Sequence, residues 1–391
     1  MSPVSPDIAP AEPSTGRASG QSLILVHDYL IQMGGAERLV GSLHRAWPEA
    51  PLYVSATDYD HLLPDFNDAT IHNTWMQHLP GLRQHHKKLF PVYPTAFRSL
   101  GSLDAAAAMV SSSGFAKWAC FTPRTRVFCY CHTPPRFFWQ TDSYLRDEVH
   151  SPVLKALAKL FILRLRPGDI ASARKVHHFI ANSNTVRQRI RDTYGRDSVV
   201  IYPPVETHRY HVSPRHEGYY LILSRLASYK GIHFAIAAFK ESGRRLVIAG
   251  GGSDLGRLQG LAAGATNIEF RGRVSEDEGV RLMENCRAFV LPGLEDFGIT
   301  PLEAHAAGKP VLAYGAGGAL ETVVPGRTGM LFTSRTPECI NEALRQMEAI
   351  TWDPDFIREH AEKFSEDRFI TAMQDYVQQR LLEEAPDLKS S

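Results

Sequence analysis

Short apolar runs recur along this chain, separated by stretches whose apolar residues fall at helical spacing. Ser22–His27 (SLILVH) is the first such run. It is followed by a glycine pair, Gly34-Gly35, and then by a helical pattern over Ala36–Trp47. A strand, a glycine loop and a helix in that order open an α/β unit. Further apolar runs stand at Pro51–Ser55, Ala108–Ser112, Val127–Cys131 and His178–Ala181, alternating with helix-like segments. The alternation predicts a mostly parallel sheet covered on both faces. Val200–Val205 contains Pro203-Pro204, and polar residues follow as far as His216; this break predicts a domain boundary. A second α/β series then begins, with strands expected at Tyr219–Leu223, Arg245–Ala249, Ile268–Phe270, Ala288–Leu291 and Val311–Ala313. Asp367–Glu384 has helical periodicity and closes the chain.

The expected organisation has four parts. Residues 1–20, rich in Pro, Ser and Ala, read as a disordered tail. Residues 21–205 form an N-terminal Rossmann-like domain, and 206–366 a C-terminal Rossmann-like domain. Residues 367–391 form a helix that packs back on the N-terminal domain, and a tail. Ligands in such sheets bind outside the carboxyl ends of strands, so the cleft between the halves is the expected site.

Composition narrows the classes further. The 391 residues carry a net charge of +1, which provides no global field for nucleic acid. The five cysteines include no CxxC pair, arguing against a disulfide framework or a zinc site and fitting a reducing compartment. The N-terminus lacks the pattern of a signal peptide, and no stretch approaches the roughly 18 apolar residues that span a bilayer. A cytoplasmic protein is expected, able to work at the inner face of the cytoplasmic membrane.

Four segments carry candidate chemistry. In Leu291–Pro310, a strand end is followed by a loop with Glu295 and Gly298 and then by a helix. Thr300 suits the N-cap and Pro301 the first helical position, and a helix N-terminus attracts a diphosphate. Glu295 and Glu303 have seven residues between them. Glu303 can equally close a capping box with Thr300. In Leu223–Gly231 (LSRLASYKG), Arg225 and Lys230 can reach one anion from a strand-end turn. In Asp28–Glu37, Gly34 and Gly35 allow close approach of a ligand. In Cys131–Trp139 (CHTPPRFFW), the prolines keep His132 out of a helix and at a strand end. Two signals distract. Asp58-Tyr59-Asp60 is a DxD sequence, short and common, read here as a solvated loop without metal. Gly250-Gly251-Gly252 follows a strand without GxGxxG or GxxxxGK[ST], so it is read as room for a nucleotide and not as a dehydrogenase or P-loop signature.

The setting EDFGITPLEAHAAGKPV, with its E-x7-E spacing, resembles the donor site of the retaining glycosyltransferases of family 4, whose fold is two Rossmann-like domains facing a central cleft (GT-B). HDYL-x3-GGAER, SSS at Ser111–Ser113, CHTPPRFFW, IANSN and IYPPVE resemble more narrowly the bacterial mannosyltransferases of O-antigen and exopolysaccharide synthesis. The resemblance runs from about Leu23 to Phe369. It implies that Glu295 faces the transferred sugar and Glu303 the nucleotide ribose. It implies that main-chain amides of Phe297, Gly298, Ile299 and Thr300 hold sugar and phosphate oxygens. Arg225 and Lys230 would stabilise the leaving diphosphate, and His132 would sit by the anomeric carbon. Gly34, Gly35 and Gly251 would face the donor, and Arg136 and Trp139 the acceptor. The implied reaction is metal-free hexose transfer with retention, with GDP-mannose as donor substrate, no cofactor, and a glycan or polyprenyl-diphosphate-linked acceptor. A sugar-nucleotide epimerase of the same fold and a non-catalytic glycan-binding subunit are the rival readings. Two stretches could touch an anionic membrane surface. Val153–Lys175 is basic with helical periodicity, and Arg83–Arg98 is a predicted surface loop interleaving basic groups with Leu89, Phe90, Tyr93 and Phe97.

Overall fold

The computed structural model describes residues 23–388 except 33, 143–144, 146–150 and 214. The expected tail at 1–20 and the last three residues lie outside them. Within the described residues two parallel sheets stand in sequence. The first is built from β1 (Leu23–His27), β2 (Leu52–Val54), β3 (Ile71–Asn73), β5 (Ala107–Ser112), β7 (Arg126–Cys131), β8 (His178–Ala181) and β9 (Ser198–Val200), in the spatial order β3-β2-β1-β5-β7-β8-β9. Two short strands, β4 (Ser102–Leu103) and β6 (Cys120–Phe121), pair beside it. The second sheet contains β10 (Tyr220–Leu223), β11 (Leu246–Ala249), β12 (Ile268–Gly272), β13 (Ala288–Leu291), β14 (Val311–Tyr314) and β15 (Gly329–Phe332), in the order β12-β11-β10-β13-β14-β15. Every pairing within both sheets is parallel.

The continuous apolar runs follow from burial on both faces. Along β1, Ile24 and Val26 enter one apolar layer, and Leu23 and Leu25 the layer on the opposite face. The second sheet repeats the arrangement, with Ile222 and Val290 on one side and Leu221 and Phe289 on the other. In each sheet the strand order reverses beside the first strand, at β1/β5 and at β10/β13. Such switch points open a crevice at the strand ends. Both crevices supply residues to one cleft, described below.

The helix Glu366–Leu388 packs on the first half from its first residue, where Glu366 accepts from Ser42 and Arg45. Phe369, Met373 and Val377 recur at every fourth residue and fill the Leu25 layer of the first sheet. Gln374 Nε2 donates to the Ala46 carbonyl at 2.7 Å, and Glu384 meets Arg126 at 2.6 Å and His178 at 2.7 Å.

Arg83–Arg98 differs from its expectation. It contains the short helix Tyr93–Arg98, whose Tyr93 and Phe97 are buried in the core of the first half. Two of the four aromatic and aliphatic groups in this stretch are thereby taken from the surface. The basic helix is observed at Pro152–Arg174. Val153, Leu154, Leu157, Leu160, Phe161 and Leu163 on it are all exposed. Among the described residues no helix is long and apolar enough to cross a membrane.

Candidate active site

Three adjacent parallel strands build the N-terminal wall of the cleft. His27 ends β1, Ser111 and Ser112 end β5, and His132 directly follows β7. His27 Nδ1 lies 3.0 Å from the Ser111 carbonyl and 3.1 Å from its hydroxyl. The same hydroxyl lies 2.8 Å from His132 Nε2. Burial pushes both imidazoles down, His132 to about 3, so His132 is neutral at physiological pH. Asp28, the next residue after β1, is buried and accepts from the backbone N–H groups of Ser113, Phe115 and Ala116 at 2.7, 2.7 and 2.6 Å. One carboxylate thus ties down the whole loop after β5. The first helix, Gly35–Ala46, starts at the same wall. The Gly34 N–H donates to Glu37 at 3.0 Å, and burial raises the Glu37 carboxyl to about 7. Gly35 faces Ile299 of the other half, whose Cδ1 would lie in ordinary contact, 3.5 Å, with a side chain placed there.

The C-terminal wall carries the charges. After β10 a turn places Arg225, Tyr229 and Lys230 together. Arg225 donates to the Tyr229 hydroxyl at 2.8 Å. Arg136, Arg225 and Lys230 stand 5.7, 5.8 and 5.4 Å from the Tyr229 ring centre. Lys230 forms an ion pair with Glu295, both largely shielded from solvent. After β13, Gly298 adopts φ +89°, a left-handed conformation that glycine takes without strain, and turns the chain into the helix Ile299–Ala306. Two features invisible in the donor motif hold this loop. Gly318 N–H donates to the Glu295 carbonyl at 2.9 Å. A side chain on Gly317 would begin 2.4 Å from that carbonyl and one on Gly318 2.1 Å from the Phe297 carbonyl.

Asp296 joins the walls. Arg136 of the first half donates to it at 2.7 Å, and Arg189, which also donates to Thr133 at 3.1 Å, pairs with its other oxygen. Glu321 accepts from the Asn184 backbone and side-chain amides at 2.9 and 2.7 Å.

Between the walls lies a cavity of about 1210 Å³. It brings together Gly35, His132 and Arg136 from one half with Arg225, Lys230, Glu295, Phe297, Gly298, Ile299 and Thr300 from the other. Four expected site residues do not line it. Gly34 caps the first helix one residue away. Glu303 lies further along its helix, where burial raises its carboxyl against the opposing pull of Arg38 and Arg209. Trp139 turns into the first half, its Nε1 donating to the buried Asp169 at 2.8 Å. Gly251 is used for packing. Side chains on Gly250 and Gly252 would begin 1.8 and 2.0 Å from the carbonyls of Ser224 and Leu226, and one on Gly251 would meet Arg273 at 2.8 Å. Gly250 and Gly252 therefore seat the loop carrying Arg225.

Two local expectations are also corrected. The N-cap is Gly298, which places Thr300 inside the first turn and removes the capping box between Thr300 and Glu303. Asp58-Tyr59-Asp60 is not wholly solvated. Asp58 is buried, accepts from the Asp60 N–H and shares Arg83 with Asp60 at 3.1 and 2.5 Å. Among the described residues no three His, Cys, Asp or Glu side chains are gathered as a metal site.

Two family models match this chain. "Glycosyltransferase Family 4" matches residues 33–209 and "Glycosyl transferases group 1" residues 206–367, so together they cover both walls. Among individual proteins, the chain is 29% identical to the D-rhamnosyltransferase WbpZ of Pseudomonas aeruginosa over 52% of its own length and 56% of that protein's. It is 24% identical to the alpha-1,3/1,6-mannosyltransferase ALG2 of Kluyveromyces lactis, with 75% and 69% covered. It is 31% identical to a GDP-mannose-dependent phosphatidylinositol monomannoside mannosyltransferase of Mycobacterium tuberculosis, with 42% and 51% covered. The chain thus spans about half to two thirds of the length of these relatives. The fold is that of HepE from Anabaena, solved in complex with UDP, at a TM-score of 0.68 and 19% identity, with 92% of this chain and 100% of that one covered. Sucrose-phosphate synthase from Thermosynechococcus elongatus has the same TM-score of 0.68 at 17% identity, with 93% and 100% covered.

Proposed function

Because this chain belongs to the family-4 glycosyltransferases, we propose that it moves a hexose from a nucleoside diphosphate sugar, with retention, onto a glycan or lipid-linked glycan acceptor in cell-surface polysaccharide synthesis. The observation that carries this reading is the set of groups converging on one cavity. Arg225, Lys230 and the helix N-terminus after Gly298 face the neutral His132. Two cations and a ring of free N–H groups suit a diphosphate leaving group, whose growing charge they stabilise without reorganising. In the resting protein Lys230 is held by Glu295, so an arriving donor exchanges an internal ion pair for contacts to phosphate and sugar. The preferred donor is GDP-mannose, supported by the GDP-mannose dependence and mannosyl transfer named for the relatives.

The test is a panel of nucleotide sugars incubated with the protein in EDTA, with and without acceptor. Nucleoside diphosphate should appear fastest with GDP-mannose and only with acceptor present. Product without acceptor would point to an epimerase, and a strict need for Mn²⁺ or Mg²⁺ would overturn the metal-free reading. GDP-mannose should also raise the melting temperature, by about 2.7 kcal/mol of stability at 100-fold over its dissociation constant.

We place the acceptor side at a membrane surface. Leu154, Leu157 and Phe161 of the helix Pro152–Arg174 are 58, 57 and 50% exposed, and they line the same cavity as His132. Lys155 and Lys159 flank them, and a cation near an anionic leaflet contributes about 1 kcal/mol. Anionic liposomes should float the protein at low salt, and Leu157→Gln with Leu160→Gln should abolish flotation. Retained flotation of that double variant, or none for the unaltered protein, would remove this surface from the proposal.

A further inference from the structure

We propose that Ser111 holds His132 in one neutral tautomer, with the proton on Nδ1, so that His132 meets the substrate as a hydrogen-bond donor and not as a base. The argument follows one proton at a time. A backbone carbonyl only accepts, so the contact between His27 Nδ1 and the Ser111 carbonyl at 3.0 Å requires the proton of His27 on Nδ1. Consistent with this, His27 Nε2 is buried without a partner, as suits a ring nitrogen that carries no proton to satisfy. The Ser111 hydroxyl, also reached by that N–H at 3.1 Å, cannot donate back to His27. Ser111 is 1% exposed, so its hydroxyl proton has no access to water. Its remaining acceptor is His132 Nε2 at 2.8 Å. That nitrogen must offer a lone pair, which puts the His132 proton on Nδ1. His132 lines the cavity, so the Nδ1–H is presented to whatever binds there.

The relay also resists a second proton on His132. A cationic ring would have to donate through Nε2 to Ser111, leaving the buried hydroxyl proton without an acceptor. Burial works in the same direction. The backbone supports the placement too, since Asn182 Nδ2 donates to the His132 carbonyl at 3.0 Å and fixes the strand exit.

The consequence is a rule for the bound molecule. The atom opposite His132 Nδ1 must be an acceptor, such as a sugar hydroxyl or ring oxygen. A substrate analogue with that oxygen removed leaves the N–H unpaired and binds more weakly, as sites built around a hydrogen bond reject the analogue lacking it. Ser111 acts as a positioning residue through His132. The tautomer follows from the contacts alone, and only its use in hexose transfer rests on the function proposed above.

The decisive measurement is a long-range ¹⁵N–¹H correlation spectrum of protein labelled at histidine, with His132→Gln used to assign the His132 signals among the 17 histidines. The expected result for the unaltered protein near neutral pH is a protonated Nδ1 and an unprotonated Nε2. A protonated Nε2, a rapid mixture or a doubly protonated ring would overturn the assignment whatever the enzyme's substrate proves to be. Ser111→Ala should shift the two nitrogens toward a mixture and lower kcat by roughly tenfold, the worth of one hydrogen bond, with KM for the donor little changed. Unchanged nitrogen signals in Ser111→Ala would also refute the role of Ser111, even if activity fell. If the unaltered protein gives the expected spectrum but no hexose transfer, the tautomer stands and the proposed function fails.

Discussion

The two walls of the cleft keep their polar groups in opposite ways. On the N-terminal wall the groups at the ends of β1, β5 and β7 are tied to backbone or to a neutral neighbour: Asp28 to three amides, His27 to a carbonyl, His132 to Ser111. On the C-terminal wall the charged groups are held by one another or by an aromatic ring, as in Lys230 with Glu295 and Arg225 with Tyr229. The first kind of arrangement is finished when the chain folds, and a ligand has nothing to displace. The second is provisional, because a diphosphate can outbid a carboxylate for a lysine.

Three substitutions probe this contrast, the largest effect first. Asp28→Ala should destabilise the fold by about 3 kcal/mol or more, because it strands buried N–H groups that cost about 1–3 kcal/mol each when unpaired. Thermal unfolding reads this directly, and a loss below about 1 kcal/mol would mean that the loop after β5 is not held by the carboxylate. Lys230→Ala should do the reverse. Turnover should fall roughly 10²-fold, while the melting temperature should barely move. If it unfolds as readily as Asp28→Ala, the two walls are not different in kind. The smallest effect is expected at Asp296, which binds the walls to each other. Asp296→Ala should lower turnover severalfold and raise the radius of gyration in X-ray scattering. A double-mutant cycle with Arg189→Ala should return a coupling within the usual 0.5–3 kcal/mol of contacting charged pairs. A coupling of zero would mean that the contact does not hold the cleft closed.

What could be read from the sequence follows from how far apart the partners lie. The R-x4-K-G turn and the EDFG loop each keep their chemistry within a few residues, and the structure brings Arg225, Lys230, Glu295 and Gly298 into one cavity. His132 was visible because prolines mark the strand exit. Ser111 and Asp28 carry no local mark of their role, which depends on β1, β5 and β7 lying side by side although 84 residues separate His27 from Ser111. Asp296 looks like one more loop carboxylate until Arg136 and Arg189, 160 and 107 residues away, close on it. Local rules misled at Thr300, where a good N-cap residue lost to a glycine that could take the left-handed turn. At the triple glycine the sequence did not disclose the close packing of Gly250 and Gly252 on Ser224 and Leu226. The edge strands β3, β9 and β15 escaped notice; Ile71–Asn73 is only partly buried and reads as apolar, His, Asn.

The chain passes between the halves twice, once after β9 and again where the terminal helix begins. The two passages run side by side, with the Val205 N–H bonded to the Phe364 carbonyl at 2.9 Å and Val205 bridged to Ser365. Two bodies joined by a single strand can swivel about any axis through it. Two strands laced together define a line, and large motion is confined to rotation about that line. Rotation about that line is the relative motion of the halves that leaves both passages in place.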